Sequence, residues 1–193
     1  MRARGASGKG AGMKRTISIP LVAVFLVAAI AAVAACGGGD TSKARADVRQ
    51  ADALYKSIAT DSNQLASKIT AATASLADRS KLRVSINDLN AFLDSMDKKA
   101  DEAKADYAKV KSLKGADKYV TYADMQMRLM DLIKQATAML KSFMAEIFTA
   151  ASSGDAAKVQ SLQTQFETQF NNLTSEITKQ ENAAAKYKSD NNL

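Results

Sequence analysis

From Val48 onward the apolar residues return every three or four positions, and no proline interrupts them, since the single proline of the chain is Pro20. That spacing draws a stripe along one face of an α-helix, whereas a β-strand alternates with period two and would have no consistent inside. The first stripe runs Val48, Ala51, Tyr55, Ile58, Ser62, Leu65, Ile69, Ala72 and Leu76, with Ser62 its only polar member. A second runs Leu82, Ile86, Leu89, Leu93, Met96, Ala100, Ala103, Tyr107 and Val110, out of phase with the first. Asp78-Arg79-Ser80 supplies a cap for a new helix between them. Neither glycine nor proline enforces that break, so one bent helix over residues 43–113 stays open as a rival, with exposed faces that favour self-association.

The third stripe is Tyr122, Met125, Leu129, Ile133, Ala136, Leu140, Phe143, Ile147 and Ala150. Gly115 suits the position that closes the preceding helix, and Thr121 with Asp124 resembles a weak capping pair. Further apolar residues lie beside this stripe, at Met127, Met130, Leu132, Met139, Met144 and Phe148, which predicts the most buried helix of the set. Ser152-Ser153-Gly154-Asp155 ends it and starts the last stripe, Val159, Leu162, Phe166, Phe170, Leu173, Ile177, Gln180, Ala184 and Tyr187. The expectation is an all-α fold: an antiparallel up-down-up-down four-helix bundle with long, coiled-coil-like helices over residues 43–77, 80–113, 117–151 and 155–188. Each is about 50 Å long at 1.5 Å per residue, and short connections make sequential helices neighbours.

The first 35 residues are of another kind. Arg2, Arg4, Lys9, Lys14 and Arg15 precede an apolar run from Ile17 to Ala35, broken only by Ser18 and Pro20 and expected to be helical. A basic start, an apolar middle and a small-residue end are the three parts of a secretory leader. A permanent span is the competing reading, because roughly 20 apolar residues suffice to cross a bilayer. The alanine-rich second half and the lack of a basic cluster after Cys36 count against it. Met13-Lys14-Arg15 with the apolar run is by itself a leader of ordinary length, so translation from Met13 is the simpler expectation than from Met1.

The run ends in Val33-Ala34-Ala35-Cys36, followed by Gly37-Gly38-Gly39, and Cys36 is the only cysteine. Those four residues resemble the lipobox of bacterial lipoproteins. The resemblance implies a diacylglyceryl group on the Cys36 thiol, cleavage before it, and attachment to the extracytoplasmic face of the cell membrane. Two acyl chains anchor stably where one holds only marginally. The resemblance covers the leader and the cysteine alone. It divides the chain into a signal peptide (1–35), a lipidated cysteine with a glycine-rich tether (36–42) and a helical domain (43–193). Gly37 is not the aspartate that resembles an inner-membrane retention signal, which leaves the choice of membrane open.

Charge follows the same division. The whole chain carries 27 basic and 20 acidic residues, a net of +7, yet five of the basic residues and none of the acids precede Cys36. What remains is 22 against 20, a net of +2, so the basic excess is mostly export signal and does not indicate nucleic acid.

Chemistry has few residues to work with. There is no histidine, and with Cys36 acylated the usual zinc and iron ligands are absent. Asp94, Asp97, Asp101 and Glu102 alternate with Lys98, Lys99 and Lys104, the pattern of solvated helix faces. Met125, Met127 and Met130 invite a soft metal, but at 100° per residue Met125 and Met127 project about 200° apart, and gap-filling in a core explains them. No G-x-S-x-G elbow or glycine-rich phosphate loop is present. A non-enzyme with no metal and no cofactor is therefore expected.

The aromatics suggest one candidate site. Tyr107 and Tyr122 should meet near the Gly115 turn with their hydroxyls reaching water, and with Met127, Met130, Phe166 and Phe170 they define a candidate ligand cleft. The resulting expectation is a lipid-anchored binding or structural module of the cell envelope. Its partners would be another envelope protein, wall polymer or its own copies. The alternative is a carrier of a small apolar ligand or soft metal between the third and fourth helices.

Overall fold

In the computed structural model, which describes residues 39–75 and 78–193, the four stripes become four helices. These are α1 (Gly39–Ala74), α2 (Arg79–Val110), α3 (Asp117–Ser153) and α4 (Ala156–Asp190), packed against one another. The described residues contain no strand. The apolar leader lies outside them.

The break between the first two stripes separates two helices that pack on each other and is not a bend in one rod. Asp78 caps α2, its carboxylate accepting from the backbone N–H groups of Ser80 at 3.0 Å and Lys81 at 3.1 Å. The helices on either side then touch: Lys99 of α2 pairs with Asp61 of α1, and Ser85 with Ser75. The fused-rod alternative is thereby overturned. At this break the capping aspartate Asp78 does what glycine or proline would otherwise enforce.

Two other expectations need correction. Residues 39–42, expected as tether, belong to the first turn of α1. Asp40 sits there, favoured by the helix dipole, and its Oδ2 accepts from the backbone N–H of Lys114 at 3.2 Å, which ties that turn to the connection between α2 and α3. The start of α3 is also not capped at Thr121. The helix begins at Asp117 after Ala116, with no side-chain cap, and the Thr121 hydroxyl donates back to the Asp117 carbonyl at 3.1 Å.

The core follows the stripes closely. Every second-stripe residue is buried, and on α1 the polar member Ser62 is buried too, its hydroxyl satisfied by the Ile58 carbonyl at 3.0 Å. As expected, α3 is the most buried helix, hiding fourteen side chains where α4 hides five. Gly115 and Gly154 adopt positive φ at +70° and +76°, which is where the connections flanking α3 turn.

Across the α2–α3 face, aspartates and lysines alternate in matching order. Lys104 reaches Asp131 at 2.6 Å, Lys134 reaches Asp101 at 2.6 Å, and Lys141 bridges Asp94 at 2.7 Å and Asp97 at 2.6 Å. Lys111 reaches Asp124 at 2.8 Å. These carboxylates, read from sequence as solvated faces, instead join two helices. Being partly exposed, each pair contributes about 0–1 kcal/mol, and their shared value is register.

Candidate functional site

The stripe on α1 carries one acid that its spacing does not accommodate. Asp52 follows Val48 by four positions and precedes Tyr55 by three, so helical geometry puts it on the apolar face, where it is 4% exposed. A carboxylate removed from water needs donors and a countercharge, and each of the other three helices sends one. Tyr107 of α2 donates its hydroxyl to Oδ1 at 2.6 Å, and Tyr122 of α3 donates to the same oxygen at 3.1 Å. Lys188 of α4 donates from Nζ to Oδ2 and lies 5.2 Å from the centre of the Tyr122 ring.

A second layer surrounds this centre. Tyr122 has one hydroxyl proton and spends it on Asp52, so Gln126 must turn its amide nitrogen toward the Tyr122 oxygen, at 2.8 Å. The Gln126 Oε1 is buried and has no partner among the described residues. Beside it Tyr55 of α1 donates its hydroxyl to Glu181 of α4, and Gln180 of α4 donates to the Met125 carbonyl at 2.8 Å. The rings of Tyr107 and Tyr122 meet edge to face, 6.3 Å between centres and 80° between planes.

Burial sets the protonation of the cluster. It pushes the Tyr107 hydroxyl well above the ordinary phenol range, and the neighbouring Asp52 charge adds to the effect. Tyr122 is raised by burial and then by Asp52, and Tyr55 by burial and then by Glu181. Burial also lifts the Glu181 carboxyl, with the Tyr55 hydrogen bond opposing it. The three phenols therefore stay protonated across physiological pH and serve as donors to carboxylates. What such an arrangement does chemically is fix geometry: one carboxylate is satisfied only when all four helices are in register.

Among the six residues of the expected ligand cleft, the two tyrosines form one contact and the two phenylalanines another. Tyr107 and Tyr122 do come together, but their hydroxyls do not reach water as expected; they are turned inward because Asp52 offers a buried acceptor. Phe166 and Phe170 stack on each other at 5.0 Å, and Phe166 stacks on Phe143 of α3 at 4.1 Å. Met130 is fully buried in the core and Met127 is half-buried against it. A groove of about 510 Å³ lies elsewhere, between α1 and α2, lined by Gln50, Ala53, Leu54, Glu102, Ala105 and Asp106. Cys36 and the lipobox residues Val33, Ala34 and Ala35 lie outside the described residues.

Sequence reasoning missed Asp52, Tyr55, Gln126, Glu181 and Lys188 as members of one cluster. The available signal was Asp52 itself, an acid one position after the seam residue Ala51 and flanked by Val48 and Tyr55 on the same face. Among the described residues no group of three or more carboxylate, cysteine or histidine side chains is arranged to hold a metal ion. Nor is any described helix long and apolar enough to cross a membrane. No protein-family model matches this chain, and no curated protein or solved structure matches it.

Proposed function

We propose that this chain is a lipid-anchored helical-bundle lipoprotein of the cell envelope, held at the extracytoplasmic face of the cell membrane by Cys36. Its domain is an up-down-up-down bundle that acts as a non-catalytic binding or structural module. The observation that carries the reading is Val33-Ala34-Ala35-Cys36 at the end of a basic-then-apolar leader. The up-down order is supported by the partners across each sequential helix pair, which run in opposite numerical order: Asp52 with Tyr107 and Asp61 with Lys99, then Asp94 with Lys141 and Lys111 with Asp124, then Met125 with Gln180 and Phe143 with Phe166. On this reading the partner is another envelope protein, wall polymer or a second copy of the chain. The carrier alternative has less to support it, because the rings that would line its cleft stack on one another.

Metabolic labelling with a radioactive fatty acid tests the anchor. Label should enter the wild-type chain and be absent from Cys36→Ala; equal labelling of both, or of neither, would contradict the reading.

A further inference from the structure

We infer that α4 is exchangeable between copies of this chain: Gly154 is a hinge at which α3 and α4 straighten into one helix, so that α4 of one molecule covers α1–α3 of a second. Only Gly154 and Asp155 separate the two helices. Gly154, at φ 76° and ψ 13°, makes the turn, and its N–H and that of Asp155 close the last carbonyls of α3, the latter reaching Ala150 at 3.0 Å. If Gly154 moves to ordinary helical angles, the helix continues from Asp117 to Asp190 with no proline to stop it. A two-residue connection lets α4 either fold back on its own chain or project away from it, with little in between.

The seating of α4 is the second observation. It buries five side chains, fewer than α2 or α3, and makes no close backbone approach to α1. The two meet through long side chains, Tyr55 with Glu181 and Asp52 with Lys188. Departure of α4 would leave Asp52 without its countercharge and expose Phe143 of α3. An unrelated apolar helix would cover the face but not supply Lys188 and Glu181 at the right positions. A second copy of α4 supplies both, which is why the occupant is this chain itself. Each exchanged pair then contains two complete Asp52 clusters, with Lys188 arriving from the other molecule.

The hinge can be tested directly. A Cβ at Gly154 meets nothing within 4 Å, so Gly154→Ala acts through the backbone, disfavouring positive φ and favouring helix. Together the two effects shift the balance by about thirtyfold per hinge, and with two hinges per dimer dimerisation should tighten by about a thousandfold. Gly154→Asn, which tolerates the left-handed turn, should behave nearly as wild type.

The experiment mixes equal amounts of heavy-isotope and unlabelled full-length chain in detergent micelles, followed by sedimentation and zero-length carbodiimide cross-linking with mass spectrometry. For Gly154→Ala, a dimer should appear in which cross-links between α4 and α1 or α3 join heavy to light chains, while Lys141–Asp94, between α2 and α3, stays within one isotope. A monomeric Gly154→Ala, or a dimer whose α4 cross-links stay within one isotope, overturns the inference. Should that variant fail to fold, the wild-type chain at millimolar concentration decides: mixed-isotope links between α4 and α1 or α3 support exchange, and their absence overturns it.

Discussion

Asp52 is the residue whose environment would be hardest to replace piecemeal. Buried ion pairs add little net stability over an apolar substitute, but removing one partner strands the other charge. Lys188→Ala should therefore destabilise the domain by about 3–5 kcal/mol, read as a lower urea midpoint. Asp52→Leu combined with Lys188→Met should recover much of that loss. Tyr107→Phe, which removes the 2.6 Å donor and leaves an oxygen of Asp52 less satisfied, should cost about 1–3 kcal/mol in the same measurement.

Glu181 gives a pH signature at the same scale. Its folded carboxyl titrates above the ordinary value of 4.5 because burial disfavours its charge. A raised folded value means that its contribution is fully present below the unfolded value and is lost as pH rises through the folded one. Glu181→Gln should remove that part of the decline, so that thermal midpoints of wild type and variant diverge most above pH 4.5 and least in stronger acid. Parallel midpoint curves for the two proteins would contradict the assignment.

At the scale of elements, helix ends are set by capping side chains and helix faces by apolar spacing. Asp78→Ala removes the acceptor for two backbone N–H groups of α2 and should cost about 1 kcal/mol of unfolding free energy, measured with denaturant. Phe166→Ala removes the ring stacked between Phe143 and Phe170 and should cost about 3–5 kcal/mol. The four helices were legible because a 3-4 spacing reports burial directly, and even Ser62 sat on its stripe since a helix can satisfy a serine through its own carbonyl. The early start of α1 was not legible, because the bond that holds its first turn reaches Lys114, 74 residues along the chain. The cluster around Asp52 was hidden for a related reason. Counting apolar positions passes over the one acid on the face, and its partners Tyr107, Tyr122 and Lys188 are brought to it only by tertiary packing.

For the whole molecule, the polar centre explains how a bundle with an alanine-rich seam keeps one arrangement. Alanines at positions such as Ala51, Ala72, Ala100, Ala103 and Ala184 allow close approach but specify little. The Asp52 cluster and the α2–α3 charge ladder supply the missing register, as buried polar groups do in some coiled coils. With one cysteine the chain can form no intramolecular disulfide, so packing and these polar contacts hold the bundle together. On the proposed reading the anchor is Cys36, only three residues before the first helix begins at Gly39. With that anchor, so short a link would hold the start of α1 at the membrane surface.

The most direct test is the intact mass of the chain extracted from membranes. The proposed anchor requires a chain that begins at Cys36 and carries a diacylglyceryl group on its sulfur, with or without a further acyl group on the new amino terminus. A membrane-extracted chain that retains residues 1–35 and a free Cys36 thiol would contradict it.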